Sequence, residues 1–294
     1  MHFAPIRPDM KALLATVRQK MLSVAIGSDD PKSPVCQAVV HHLATPGLRV
    51  RSQIALHTAE CLEVDAPSAL AMATCCELLH DASLIHDDLQ DRDHLRRGVE
   101  SVWSMFGDDV ALIAGDLLLS AAYAALCDVK DVAAIPRLIA QTHAAVTQTI
   151  RGQASPALPS HADFDYLAAY QAMAAAKSGP LLSLPFGLVF SYCSRPDLAV
   201  TSARAVHAFS IAYQIADDLD DVEADARTAL GAATNIVGVL ETAGRTDRAT
   251  AQARAVHMAR AKLAEALTVA AELPNGTAAI LSELTRRITR KLDA

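Results

Sequence analysis

Two apolar helical runs in this chain finish in the same acidic pattern. SLIHDDLQD at 83–91 and AYQIADDLDD at 212–221 each carry Asp-Asp-x-x-Asp. In each, the first and last aspartates stand at i and i+4 and share one helix face. Carboxylates on an otherwise apolar, inward-facing helix repel one another and are costly to desolvate unless a cation lies between them. The chain must therefore build long helices that carry these faces and hold something cationic against them. If the two helices face each other, both sets of carboxylates converge on one cavity. Hard divalent cations with oxygen ligands relieve that repulsion, and Mg2+ suits it because it takes few carboxylates together with water and phosphate. The candidate ligands are Asp87, Asp88, Asp91, Asp217, Asp218 and Asp221.

The rest of the chain fits helices. Apolar residues recur at helical spacing over 10–26, 35–44, 49–63, 67–91, 108–127, 131–151, 164–176, 179–193, 198–221, 234–243, 247–271 and 276–292. Turn and capping sequences such as GSDDPKSP, TPG, RRG and RGQASPALPSHAD separate them. No window alternates as a strand does. Alanine is abundant and aromatic residues are scarce, which favours packed helices. The expectation is an all-α fold: one domain over 1–294, a bundle of roughly ten or more helices around a central cavity.

Charge and composition narrow the partners. A formal net charge of −7 with no basic stripe argues against nucleic acid. A negative protein still binds a negative substrate where a metal mediates. The six cysteines, at 36, 61, 75, 76, 127 and 193, form no Cys-x-x-Cys pair and read as buried thiols of a reducing compartment. The start, MHFAPIRPDMKALLATV, lacks the apolar core of a signal peptide. The most apolar run, PLLSLPFGLVFSYC, is too short for a bilayer and contains Pro185. These features lead to the expectation of a cytoplasmic protein without a transmembrane segment.

Mg2+ held by carboxylates keeps positions open for a substrate phosphate. Arg96-Arg97-Gly98, just beyond the first acidic pattern, offers forked donors suited to a diphosphate. GLRVR at 47–51, ELLHDASLIHDDLQDRDHLRRG at 77–98, MFG at 105–107, AGDLLL at 114–119, GQ at 152–153, KSG at 177–179 and YQIADDLDD at 213–221 follow in order. This ordered set resembles the trans-isoprenyl diphosphate synthases, the polyprenyl synthetase family of farnesyl and geranylgeranyl diphosphate synthases.

The resemblance implies a prenyltransferase. Mg2+ ions on the aspartates would promote loss of diphosphate from an allylic substrate, and the allylic cation would alkylate isopentenyl diphosphate. By motif match, Arg96, Lys177, Ser178 and Gln214 serve the allylic side, with Ser178 standing where the family usually has threonine. Arg51, His80 and Arg97 serve isopentenyl diphosphate. Ala82 and Ser83 lie one turn before the first aspartate, where bulky aromatics in the family stop the growing chain at farnesyl length. Small side chains there imply a longer product, geranylgeranyl diphosphate (C20) favoured, with Met72 or Tyr123 as candidates to close the tunnel lower down. The family commonly forms homodimers, and helices 108–151 are the candidate face.

Four departures touch substrate binding. Leu48 replaces a diphosphate-binding lysine, Pro156 replaces an aspartate after Gly-Gln, and Trp103 replaces a histidine before Phe-Gly. The segment VEADARTALGAATNIVGVL after the second acidic pattern contains no lysine, leaving Arg227 as a substitute cation. They leave open a class I terpene cyclase, which ionises an allylic diphosphate without isopentenyl diphosphate, and a non-catalytic regulatory subunit of another synthase.

Overall fold

The computed structural model describes residues 8–153, 165–227 and 229–293, and Pro156 lies outside them. The chain divides into two compact units, Met1–Thr142 with Leu184–Ser194, and His143–Ser183 with Arg195–Ala294. The described residues are helical almost throughout, as expected of an all-α chain.

In the first unit α1 (Pro8–Ile26), α2 (Pro34–Ala44) and α3 (Val50–Cys61) lead to α4 (Ala66–Asp91). Asp65 caps α4 by accepting from the Ser68 amide at 3.0 Å, and Pro67 occupies its first turn. Met72, Cys75, Cys76, Leu78, Leu79, Ala82 and Ile85 are all buried, so α4 is covered around most of its circumference. It ends where Arg92 turns left-handed at φ 60°. After a short hairpin come α5 (Val102–Phe106) and α6 (Asp108–Ala125), the latter packed along α4. Gly115 permits that approach: a Cβ there would stand 2.1 Å from Nε2 of His86.

The helices α7 (Ile135–Gln153) and α8 (Tyr166–Tyr192) have residues in both units. The separate helices expected at 164–176 and 179–193 are one helix in the structure. Pro180 cannot donate to the Ala176 carbonyl, yet the helix continues. Gly152 of α7 packs on that freed carbonyl, and a Cβ at Gly152 would come within 2.7 Å of it.

In the second unit α9 (Pro196–Asp225) packs along α12 (Arg248–Ala270), with α10 (Ala229–Thr234), α11 (Ile236–Gly244) and α13 (Ala279–Leu292) around them. Ala205, Ala208, Ala212 and Ala216 of α9 and Ala251, Ala255, Ala259 and Ala266 of α12 are all buried. Small ridges on both partners bring helix axes close and give many weak dispersion contacts in place of a few large side chains.

Two expectations change. The apolar run taken as too short for a bilayer belongs to the 27-residue α8. By length and composition, Tyr166–Tyr192 and Asp108–Asp128 are both able to cross a membrane, and the former is mostly buried within the protein. Of the cysteines, 36, 75 and 76 are buried as expected, 61 and 193 are half-buried, and Cys127 is exposed. Burial pushes the Cys75 thiol up to about 12, which keeps it protonated and inert.

Candidate active site

The first acidic pattern closes α4. Asp87 is half-buried and Asp91 exposed, one turn apart, whereas Asp88 is 1% exposed. Asp88 is held by Arg96, whose Nε and Nη2 both donate to Oδ1, the former at 2.8 Å. Burial works against the Arg96 charge, but the hydrogen bond and charge of Asp88 outweigh it and raise the guanidinium pKa.

Arg96 and Arg97 do not sit on a helix end. Leu95–Arg96 and Val99–Glu100 pair as a two-residue hairpin with register Arg96↔Val99. The turn residues Arg97 and Gly98 both have positive φ, 56° and 79°, which is the type I′ requirement. Adjacent arginines consequently diverge. Arg96 turns to the acidic helix, while Arg97 Nη1 donates to the Pro46 carbonyl at 2.9 Å. The Arg97 guanidinium also fills the space a side chain at Gly47 would need, only 2.2 Å from an added Cβ.

Gly47 opens a second cluster in the same unit. Arg49 adopts a left-handed conformation (φ 52°, ψ 44°) at the start of α3. Its side chain pairs with Asp81, donates to the Leu43 carbonyl at 3.1 Å and lies 3.7 Å from Glu77. Glu77 accepts from the Ser52 amide at 2.9 Å and from the Ser52 hydroxyl at 2.8 Å, and His42 lies 3.4 Å from Asp81. Burial would raise the Asp81 carboxyl, but the His42 hydrogen bond and the Arg49 charge hold it far below the carboxylate range. Burial and the charge of Asp81 push Glu77 up. His80 is driven well below the usual imidazole range by burial and by Arg51, with Arg97 and Arg49 acting in the same sense. Arg51, Arg97 and Arg49 thus all bear on the His80 imidazole, with the Asp81 charge opposing them. Sequence reading found Arg51, His80 and Arg97 but missed the Arg49–Asp81–Glu77 support. Its signal was present: Glu77 and Asp81 stand at i and i+4 on an apolar helix, the same reading applied to the aspartates downstream.

In place of the missing lysine, Leu48 contributes its carbonyl, which accepts from Gln53 Nε2. Trp103 donates its indole N–H to the Asp93 carbonyl at 2.9 Å, and the Arg92 guanidinium lies 5.1 Å from its ring. Ala82 is buried, and half-buried Ser83 donates to the His80 carbonyl at 2.8 Å.

The second unit holds the other expected residues. Asp217 and Asp221 are exposed on α9, and Asp218 is buried. Asp218 accepts from the Tyr170 hydroxyl, the Gln214 amide and the Ile236 backbone N–H, each at 2.8 Å, and its own carbonyl accepts from Asn235 at 2.7 Å. Burial raises its pKa against these hydrogen bonds, and Tyr170 beside it is raised strongly by burial and by the Asp218 charge. Although its surface is open to solvent, the protein packed around Asp217 partly desolvates its carboxylate and raises it; Lys291 opposes this, Asp221 and Asp220 add to it, and Lys177 opposes it more weakly. Lys177 is exposed and Ser178 half-buried on α8, and Arg227 is exposed. The Gln214 amide expected at a substrate is spent on Asp218.

Each acidic pattern therefore commits its second aspartate to the protein, Asp88 to Arg96 and Asp218 to three donors. Among the described residues no three acidic, imidazole or thiol groups gather closely enough to form a metal site by themselves. The pairs Asp87/Asp91 and Asp217/Asp221 nonetheless fit Mg2+, which takes one or two carboxylates and fills its octahedron with water and phosphate.

Comparison with known proteins places the chain in a family. The sequence pattern of the polyprenyl synthetase family matches residues 33–234. A (2E,6E)-farnesyl diphosphate synthase of Mycobacterium tuberculosis is 36% identical over 178 residues, 59% of this chain and 48% of that protein. The chain thus spans about half the length of that relative. A short chain isoprenyl diphosphate synthase of Methanocaldococcus jannaschii is 29% identical over 198 residues, 67% of this chain and 60% of that protein. A geranylgeranyl pyrophosphate synthetase from the archaeon Geoglobus acetivorans shares the fold with a TM-score of 0.78 at 20% identity, covering 95% of this chain and 98% of that one. A heptaprenyl diphosphate synthase from Staphylococcus aureus superposes with a TM-score of 0.75 at 20% identity, covering 97% and 99%. A match across most of the chain, over a span that includes both acidic patterns, makes this protein a member of the polyprenyl synthetase family.

Proposed function

We propose that the chain is a Mg2+-dependent prenyltransferase that joins isopentenyl diphosphate to an allylic diphosphate as a single isoprenoid synthase-like domain. The observation that carries this reading is the cluster of Arg51, His80 and Arg97, supported from below by Arg49, Asp81 and Glu77. An enzyme that only ionises an allylic diphosphate has no need of a second anion site. The relatives compared above are named as synthases of farnesyl diphosphate and of short chain isoprenyl diphosphates, which supports this reading.

In this reading Asp87 with Asp91, and Asp217 with Asp221, would hold Mg2+, which when bound would supply positive charge for a diphosphate leaving group. Arg51 and Arg97 bind the isopentenyl diphosphate through guanidinium donors. His80, kept neutral, gives one N–H without adding charge. Arg96 stays fixed on Asp88, so its remaining donors address the allylic diphosphate without side-chain searching. Lys177 contributes a mobile ammonium beside Asp217.

We extend the proposal to a product longer than farnesyl, geranylgeranyl diphosphate favoured, because the small, half-buried Ser83 leaves room one turn before Asp87. Ala82 is fully packed, so enlarging it strains the core; Ser83 is half-buried and accepts a larger side chain. A homodimer formed through α6, whose Leu112 and Ile113 are each 51% exposed, and a cytoplasmic location complete the proposal.

The test is a product assay with Mg2+, labelled isopentenyl diphosphate and dimethylallyl, geranyl or farnesyl diphosphate in separate reactions. Mg2+-dependent C20 product is expected, with Ser83→Phe shifting it to C15. Hydrocarbon or prenyl alcohol without incorporated label would overturn the synthase reading. An unchanged product from Ser83→Phe would remove the length assignment alone.

A further inference from the structure

The second acidic turn gathers Asp217, Asp220 and Asp221 on α9, followed by Glu223 and Asp225. The chain has no lysine between Lys177 and Lys262, so the segment after the turn offers none to balance it. Arg248 of α12, which reaches Glu223 on α9, is engaged by Glu223 and Glu241 at 3.4 Å each. Among the described residues, a lysine of α13 makes direct contact with the turn. Lys291 forms an ion pair with Asp220 and donates to the Ala216 carbonyl at 3.0 Å, with its side chain 24% exposed. The other basic residues of α13 behave differently: Arg286, Arg287 and Arg290 all collect on Glu283 of their own helix.

The Ala216 carbonyl precedes Asp217 directly, and Asp220 lies three positions beyond it. An ammonium bridging these two groups pins the turn of helix that carries Asp217 on both sides. A compact ammonium with three donors suits this double contact. We propose that Lys291 is a positioning residue for the second acidic pattern, holding the Asp217–Asp221 face in the geometry that receives Mg2+. The inference rests on the metal-dependent reading above.

The position separates two effects that are usually confounded. Removing a positive charge near a cation site should, by Coulomb's law alone, tighten binding of the metal. Removing a positioning contact should weaken it. Binding of Mn2+, as a probe of the Mg2+ site, is measured by paramagnetic relaxation on the full chain without substrate for wild type, Lys291→Met and Lys291→Arg. Lys262→Met is the control, since Lys262 pairs with Glu265 on α12 away from the turn. The expected result is binding at least fivefold weaker in Lys291→Met, within about twofold of wild type in Lys291→Arg, and unchanged in Lys262→Met. Inorganic pyrophosphate added with the metal should reproduce the order. Lys291 lies in the last turn of α13, whose buried anchors are Leu281 and Thr285, so the variants keep the core, and thermal unfolding confirms it. Lys291→Met binding Mn2+ as tightly as wild type, or more tightly, would overturn the inference while leaving the metal reading intact. Absence of binding by the wild type would overturn both.

Discussion

The two acidic patterns look alike in sequence and are built differently in space. At the end of α4, the buried aspartate is satisfied by one charged partner: Arg96 places two donors on a single oxygen of Asp88, and Oδ2 is buried without a hydrogen bond. On α9, Asp218 is satisfied by three neutral donors from α8, its own helix and the first turn of α11. The first arrangement ties an acidic helix to a basic hairpin. The second ties three helices to one another. A repeated motif can therefore keep its exposed carboxylates while the inward one serves local architecture, and what it fastens is set by its neighbours.

That contrast makes ordered predictions. The largest effect belongs to the outward aspartates. Asp87→Ala and Asp217→Ala should each lower kcat by about two to three orders of magnitude with little change in thermal stability, since under the proposed function each removes a ligand for the Mg2+ that would act on the diphosphate. Steady-state kinetics beside thermal unfolding checks this, and an equal loss in both readouts would break the distinction between outward and inward aspartates. Next come the inward pair. Asp218→Ala strands the Tyr170 hydroxyl and the Ile236 amide in the interior and should cost about 3 kcal/mol. Asp88→Ala should cost about 1 kcal/mol, because Arg96, 27% exposed, can turn toward water. Denaturant unfolding of the two variants measures the gap, and equal costs would erase the contrast.

The smallest effect concerns pH and belongs to the first unit, which alone carries the arginine-ringed His80. Its folded pKa lies below that of the unfolded chain, so the unfolded state takes up a proton that the folded state refuses. Stability contributed by neutral His80 is complete above the unfolded value of about 6.5. It falls as the solution is acidified below that point, by at most about 1.4 kcal/mol per pH unit. His80→Gln should flatten the dependence of unfolding free energy between pH 7.5 and pH 5.5, a window of about two units around that value. A slope identical to wild type would show that His80 takes up its proton in the folded chain.

How far the sequence reveals this molecule depends on the range of the interactions. Helical periodicity located nearly all the long helices, because burial of an apolar face is written at i, i+3 and i+4. It misjudged KSGP, where a proline usually marks a break. There, Gly152 of a different helix covers the exposed carbonyl and α8 runs on. The hairpin at 95–100 escaped notice because two-residue strands leave no alternation to detect, although Arg-Gly could have hinted at a turn with positive φ. At the site, aspartates and arginines were legible as types. Their division into outward and inward members was not, since Tyr170, Asn235 and Lys291 reach Asp218, Asp225 and Asp220 only once the chain has folded.

Trp103 is the chain's one tryptophan. It rests against Arg92 and the Asp93 carbonyl, in the turn that follows the first acidic pattern, while Asp108 grips Arg92 from the other side at 2.8 Å. Nature has thereby placed a single fluorophore at the lip of the proposed metal site, with no second indole to dilute its signal. A cationic neighbour and a carbonyl contact both influence indole emission. Loading of the acidic turn should therefore be visible in the unlabelled protein, in real time, as a change in the colour or intensity of its own light.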